Sequence, residues 1–196
     1  LNPFSLNVRM ALITYEDDSS RIAPLIRYGF ILEDEDEFAA RFNMRAVTDK
    51  LSLDDIEKNN AMIMSIFQFM IGNTDWIVQF SKNIIFLQQG AIFHCVPYDF
   101  DYCGIVNADY RNVLGYKSLS EPERKYKGNC YSNEDFKATL KYFKKSKKQI
   151  NHLLMSSTLL NHESFIYMYN YISEFYSIIS SPLERRKYFF VNCDGK

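Results

Sequence analysis

The chain has 196 residues, 47 % hydrophobic and 24 % charged, a balance that excludes disorder over its whole length. Lys plus Arg number 23 against 24 Asp plus Glu, so the net charge of −1 lacks the positive excess of a protein built to grip a nucleic-acid backbone. Four cysteines without a C-x-x-C pair exclude a dense disulfide framework, argue against structural zinc and read as free or partly buried thiols, while three histidines offer no H-E-x-x-H pattern.

Residues 6–15 alternate as a strand should, and Glu16 to Ser20 are a polar turn. Ile22 to Leu32 is a second strand, with Tyr28, Phe30 and Leu32 on one face, so the two predict a β-hairpin. Five acids follow, Glu33 to Glu37. Acids favour the first turn of a helix, which predicts a short helix over Asp34 to Phe42; a metal-binding acidic loop is the alternative. Ser52 and Asp55 have capping-box spacing ahead of Ile56, Ile63, Ile66, Phe67 and Met70, and Gly72 is a natural stop. A largely buried helix over 52–71, with Phe67 in the core, is expected.

Two apolar runs, 83–87 and 91–96, flank Gln88-Gln89-Gly90 and predict a second hairpin, ended by Pro97. Residues 105–131 have no strong periodicity, and loops of that length tend to be functional. Ser132 to Asp135 is another capping signature, ahead of a stripe of Phe136, Leu140, Phe143, Ile150 and Leu154. The opposite face carries six lysines between Lys137 and Lys148. It reads as a solvated face, with anionic-ligand or membrane binding as the alternative. A last helix, His162 to Ile179, is stopped by Ser180-Ser181-Pro182.

Polar residues that could carry chemistry gather between 73 and 101, each at the end of a regular element. Asp75 lies three residues beyond Gly72, Asn83 opens a strand, and Asp99 and Asp101 follow the next one. The order of helix, Asp, Asn, hairpin, Asp is that of a protein-kinase large lobe, where one Asp handles the attacking hydroxyl and the Asn and second Asp hold Mg²⁺. The residue types suit that work: hard oxygen ligands for Mg²⁺ and a carboxylate for proton removal. The spacing departs from ordinary kinases, with D-x7-N for D-x4-N, Asp-Phe-Asp for Asp-Phe-Gly, and no His-Arg before Asp75. A surface loop with capping carboxylates is the structural alternative.

The strings Phe67 to Trp76 and Val96 to Asp101, with Arg27 to Glu37 and Gly104 to Ala108, resemble a group of bacterial proteins with Gly-Asn-Thr-Asp-Trp and Pro-Tyr-Asp-Phe-Asp motifs. That group is distantly similar to atypical kinases of the spore-coat CotH type, and the resemblance spans roughly residues 6 to 180. It implies an α+β fold: a mainly helical protein-kinase-like large lobe with short antiparallel β-hairpins and the small lobe largely missing. Residues 1–46 would be the remnant of the small lobe and hinge, and 47–196 the helical lobe. It implies Glu33 at the hinge, Asp75 as catalytic residue, and Asn83, Asp99 and Asp101 as metal ligands. Lys82 stands where family members often carry His. The Arg-rich stretch after the Asn-Ala string keeps Arg124 and Lys127, and Arg124 is assigned to the nucleotide.

The expected function is phosphoryl transfer from ATP with Mg²⁺ to an unknown acceptor. A non-catalytic kinase-like scaffold is the alternative, and a metal-dependent hydrolase using Asp75, Asp99 and Asp101 ranks below both. The expected partners are a nucleotide and that acceptor, with no nucleic acid. The longest apolar stretch is far short of the ~18 residues of a membrane span, and no signal peptide is seen. The compartment stays open: the absence of a disulfide pattern leans to the cytoplasm and the CotH resemblance leans away from it. Oligomeric state is equally open.

Overall fold

The computed structural model describes residues 4–19, 21–108, 124–190 and 193. The first alternating segments pair as predicted. β1 (Val8–Tyr15) and β2 (Leu25–Leu32) run antiparallel, with Val8 opposite Leu32 and Tyr15 opposite Leu25. The acidic run starts a helix. Asp34 caps α1 (Glu35–Arg41), accepting from the backbone N–H groups of Asp36 and Glu37 at 2.9 and 3.3 Å, and three acids fill the first turn at the positive end of the helix dipole.

Next comes β3 (Arg45–Val47), a strand too short to show in the sequence. It pairs with the outer edge of the predicted second hairpin, making a three-stranded antiparallel sheet ordered β3, β4 (Ile84–Gln89), β5 (Ile92–Pro97). The apolar run in β4 follows from burial on both faces. Ile84, Phe86 and Cys95 cluster with Ala61, Met64 and Trp76, while Ile85, Leu87 and Val96 cluster with Phe38 and Ala39 of α1. Burial pushes the Cys95 thiol up to about 12.

The long buried helix begins later than the capping-box spacing predicts. It is α2 (Lys58–Ile71), capped by Glu57 through the N–H groups of Asn59 and Asn60. Ser52 and Asp55 do bond each other, through Ser52 N–H (2.8 Å) and Oγ (2.7 Å) to Asp55 Oδ2, but they close a turn. Ile56 is then drawn into a bridge with Phe93, and the Glu57 N–H donates to Phe93 O at 2.7 Å. An extended Ile56 cannot continue a helix begun at Ser52. Gly72 ends α2 as predicted, at φ 67°, where a Cβ would lie 1.9 Å from Tyr171 Oη. Phe67, expected in the core, is only half-buried against Phe100, with ring centroids 5.6 Å apart; the fully buried ring of this helix is Phe69.

Helix α3 (Asn133–Ser156) follows its predicted cap, Ser132, and α4 (His162–Ser180) starts where predicted, capped by Asn161. Phe136, Leu140 and Phe143 of α3 and Ile172, Phe175 and Ile179 of α4 enclose Met62, Ile66 and Phe69. The lysines of α3 are exposed. Pro182 does end α4, but it also opens α5 (Pro182–Phe189), where its fixed φ suits a first helical turn and Ser181 caps the Glu184 N–H at 3.3 Å. Phe189 returns to the core beside Phe69, 4.7 Å between centroids.

The expectation of free thiols is corrected at two of the four cysteines. Cys130 and Cys193 form a disulfide across 63 residues, whereas Cys95 and Cys103 are buried thiols. No spacing rule pairs two half-cystines whose approach depends on α5 carrying the chain back. The fold is α+β, with five helices and two small antiparallel sheets among the described residues. None of those helices is long and apolar enough to cross a membrane. Of the long loop expected at 105–131, residues 109–123 lie outside the described residues.

Candidate functional site

The left-handed cap at Gly72 turns the chain out of α2 into Asn73-Thr74-Asp75-Trp76. Asn73 is buried and braces this tetrapeptide: its Oδ1 accepts from Asp75 N–H at 2.9 Å and its carbonyl from Trp76 Nε1 at 3.2 Å. The seven residues separating Asp75 from Asn83 form a closed excursion. A 3-10 turn (Val78–Phe80) reverses the chain, and Ile77 and Lys82 exchange backbone hydrogen bonds of 3.0 and 3.2 Å across its neck. Asn83 is thereby returned to its starting point. Its Nδ2 donates to Asp75 O at 2.7 Å and to Asp75 Oδ2 at 3.2 Å. The D-x7-N spacing thus yields a direct contact, with the extra length absorbed by the pinched loop.

The hairpin brings in the third member. Asn83 precedes β4 and Asp99 follows β5, so the Ile84–Pro97 pair puts both at the same end of the sheet. The Tyr98 N–H donates to Asn83 O at 3.1 Å, extending the ladder to the residue before Asp99. Asn83 and Asp99 both hold positive φ, 57° and 55°, a conformation Asn and Asp tolerate better than other non-glycine residues. The segment after Asp99 is tied back to α2. Gly104 N–H bonds Gly72 O, and Ile105 N–H bonds Ile71 O, each at 3.0 Å; Tyr167 Oη donates to Gly104 O at 2.9 Å.

Electrostatics record the convergence. Partial desolvation raises the Asp99 carboxyl above its ordinary range; a side-chain hydrogen bond and the charge of Asp101 add to this, and the Asp75 charge acts the same way. Asp99 therefore binds its proton more tightly folded than unfolded. Its contribution to stability is present at low pH and is lost as pH rises through the raised folded value. Asp99→Asn is accordingly expected to stabilise the chain at neutral pH, with the gain vanishing in acid. Asp99 is exposed, so screening keeps the effect small. Thermal melts of both proteins across the acidic range check this; a gain that persists below the ordinary carboxylate range would assign it to backbone rather than charge.

Two lysines complete the surroundings. Lys82 Nζ forms an ion pair with Asp75 Oδ1. Lys127, more than fifty residues away, sets its ammonium on the carbonyls of Thr74 (3.0 Å) and Trp76 (2.5 Å), either side of Asp75, and 5.0 Å from the Trp76 ring. Burial pushes the Lys127 ammonium down, and Lys125 and Lys82 add to that while Asp75 opposes it. The position of Lys82 beside Asn83 was visible in the sequence. The approach of Lys127 was not, because nothing local connects it to Asp75.

Glu33 and Arg124 belong to other contacts. Arg41 clasps the Glu33 carboxylate with Nε and Nη2 at 2.9 and 2.7 Å, and Asn7 N–H donates to it at 2.9 Å. Arg41 and Asn7 hold Glu33 down at about 2. Arg124 is buried, with its guanidinium 3.6 Å from the Tyr171 ring centroid; it pairs with Glu174 and donates to Tyr171 O. Among the described residues no group of three or more His, Cys, Asp or Glu side chains is placed to hold a metal ion. No protein-family model matches the chain, and no curated protein or solved structure shows significant similarity to it.

Proposed function

We propose that the chain is the catalytic lobe of an atypical, kinase-like phosphotransferase that uses ATP and Mg²⁺ on an acceptor hydroxyl. The observation that carries this reading is the contact of Asn83 with Asp75 at the end of the hairpin that also presents Asp99. Asp75 supplies a carboxylate able to take a proton from an attacking hydroxyl. Asp99, Asp101 and the Oδ1 of Asn83 are the hard oxygen donors that suit Mg²⁺. They fit the ion in charge as well: burial first raises Asp99, the Asp101 and Asp75 charges add to it, and a cation relieves that added repulsion. Bound Mg²⁺ would neutralise the phosphate oxygens. Asn83 orients Asp75 through its Nδ2, and Lys127 fixes the backbone on both sides of it.

Calorimetric titration with Mg²⁺ and ATP tests binding, and a phosphate-transfer assay tests chemistry. Asp99→Asn is expected to abolish binding of the magnesium nucleotide. Asp75→Asn is expected to spare binding and lower turnover about 10²–10⁴-fold, the usual contribution of a positioned acid or base. Unchanged turnover in Asp75→Asn would overturn the catalytic assignment.

A second reading is favoured by one contact: Lys82 already neutralises Asp75. In that reading the lobe is a kinase-like scaffold that binds a partner without catalysis. Absence of Mg²⁺-ATP binding in the wild-type chain would select it.

A further inference from the structure

The β1–β2 hairpin is a sheet of its own, and none of its strand residues enters the three buried clusters. Register divides it into two unlike faces. Pairing of Val8 with Leu32, Met10 with Phe30, Leu12 with Tyr28 and Thr14 with Ile26 puts seven large apolar side chains and one threonine on one face. The other face mixes Arg9 and Arg27 with Ala11, Tyr15, Leu25 and Ile31, and Ile13 there folds over Gly29, its Cδ1 2.6 Å from where a Cβ would be. Only the first face is free of charge, and it is open: Leu12 is 62 % exposed, Tyr28 72 % and Phe30 70 %.

At these exposures the seven side chains leave open roughly 700 Å² of mostly apolar surface, above the about 300–600 Å² of the largest patch on a typical monomer. It is close to the about 800 Å² that each partner contributes to a stable standard interface. An isolated two-stranded hairpin is also marginal in water and gains independent stability only when a layer packs on it. We infer that this face is the meeting surface of two copies of the chain, stacked sheet on sheet about a two-fold axis. A two-fold axis sets the same patch against itself, and this patch carries no charge to repel its own copy. Tyr28 and Phe30 are neighbours across the face and are the aromatic anchors of such a contact.

Sedimentation velocity on the chain at micromolar concentration tests this. The wild type is expected to sediment as a dimer. Phe30→Glu is expected to weaken the dimer at least about 30-fold, with the helical far-UV circular dichroism signal unchanged because the hairpin supports no core. Ile31→Glu, on the opposite face beside Arg9, is expected to stay dimeric. A monomeric wild type overturns the inference, including one whose hairpin is covered by a different polypeptide. So does a dimer that survives Phe30→Glu, or one that both substitutions disrupt alike.

Discussion

Phe69→Ala is expected to destabilise the chain by about 3–5 kcal/mol, the cost of emptying a large aromatic site in a packed core. Phe69 is 1 % exposed. Its ring meets Phe175, Tyr188 and Phe189 with centroids 6.2, 5.4 and 4.7 Å away, so the cavity would open where α2, α4 and α5 join. Those partners are rigid rings and cannot collapse to fill it. Phe67→Ala, two residues earlier on another face of α2 and only half-buried, is expected to cost much less. Urea unfolding followed by the single Trp76 measures both. Equal losses would show that the two rings are equally buried.

Reduction of the Cys130–Cys193 bond is expected to remove up to about 4 kcal/mol. That is the loop-closure entropy that a cross-link spanning some sixty residues withholds from the unfolded chain. Urea unfolding with and without reductant gives the value, and Cys130→Ser should reproduce it in non-reducing buffer. If reductant leaves the midpoint unchanged, the two thiols are not joined in solution. Disulfides persist in oxidising compartments and are rare where thiols are kept reduced, so the redox state of this pair in cells also reports the compartment.

The two predictions mark different depths of legibility. Local rules carried the elements far. The acidic first turn of α1, the Ser132 cap, the Gly72 stop and both hairpins rest on local spacing, and their bonds form much as that spacing implies. Part of the candidate site was legible for the same reason. Asp75, Asn83 and Asp99 stand at element ends, and the pairing of β4 with β5 alone brings Asn83 and Asp99 together. Local rules failed where a distant segment competed for the same backbone. Ser52 and Asp55 made their predicted bonds, but Phe93 claimed the next residues for a bridge and delayed α2 by six positions. Phe67 and Phe69 are both aromatic on one helix, and only the arrival of α4 and α5 made Phe69 the buried one.

What the sequence by itself determined is the order of the longer elements, the Ser132 cap, the Gly72 stop and the polar residues between them, because each depends on hydrogen bonds and side-chain periodicity within a few residues. Tertiary structure alone decided which cysteines pair, that Lys127 braces the Asp75 loop, and that Arg124 packs on Tyr171. These contacts join residues about fifty or more positions apart, and their geometry is set by how the helices pack on one another, which no local spacing encodes.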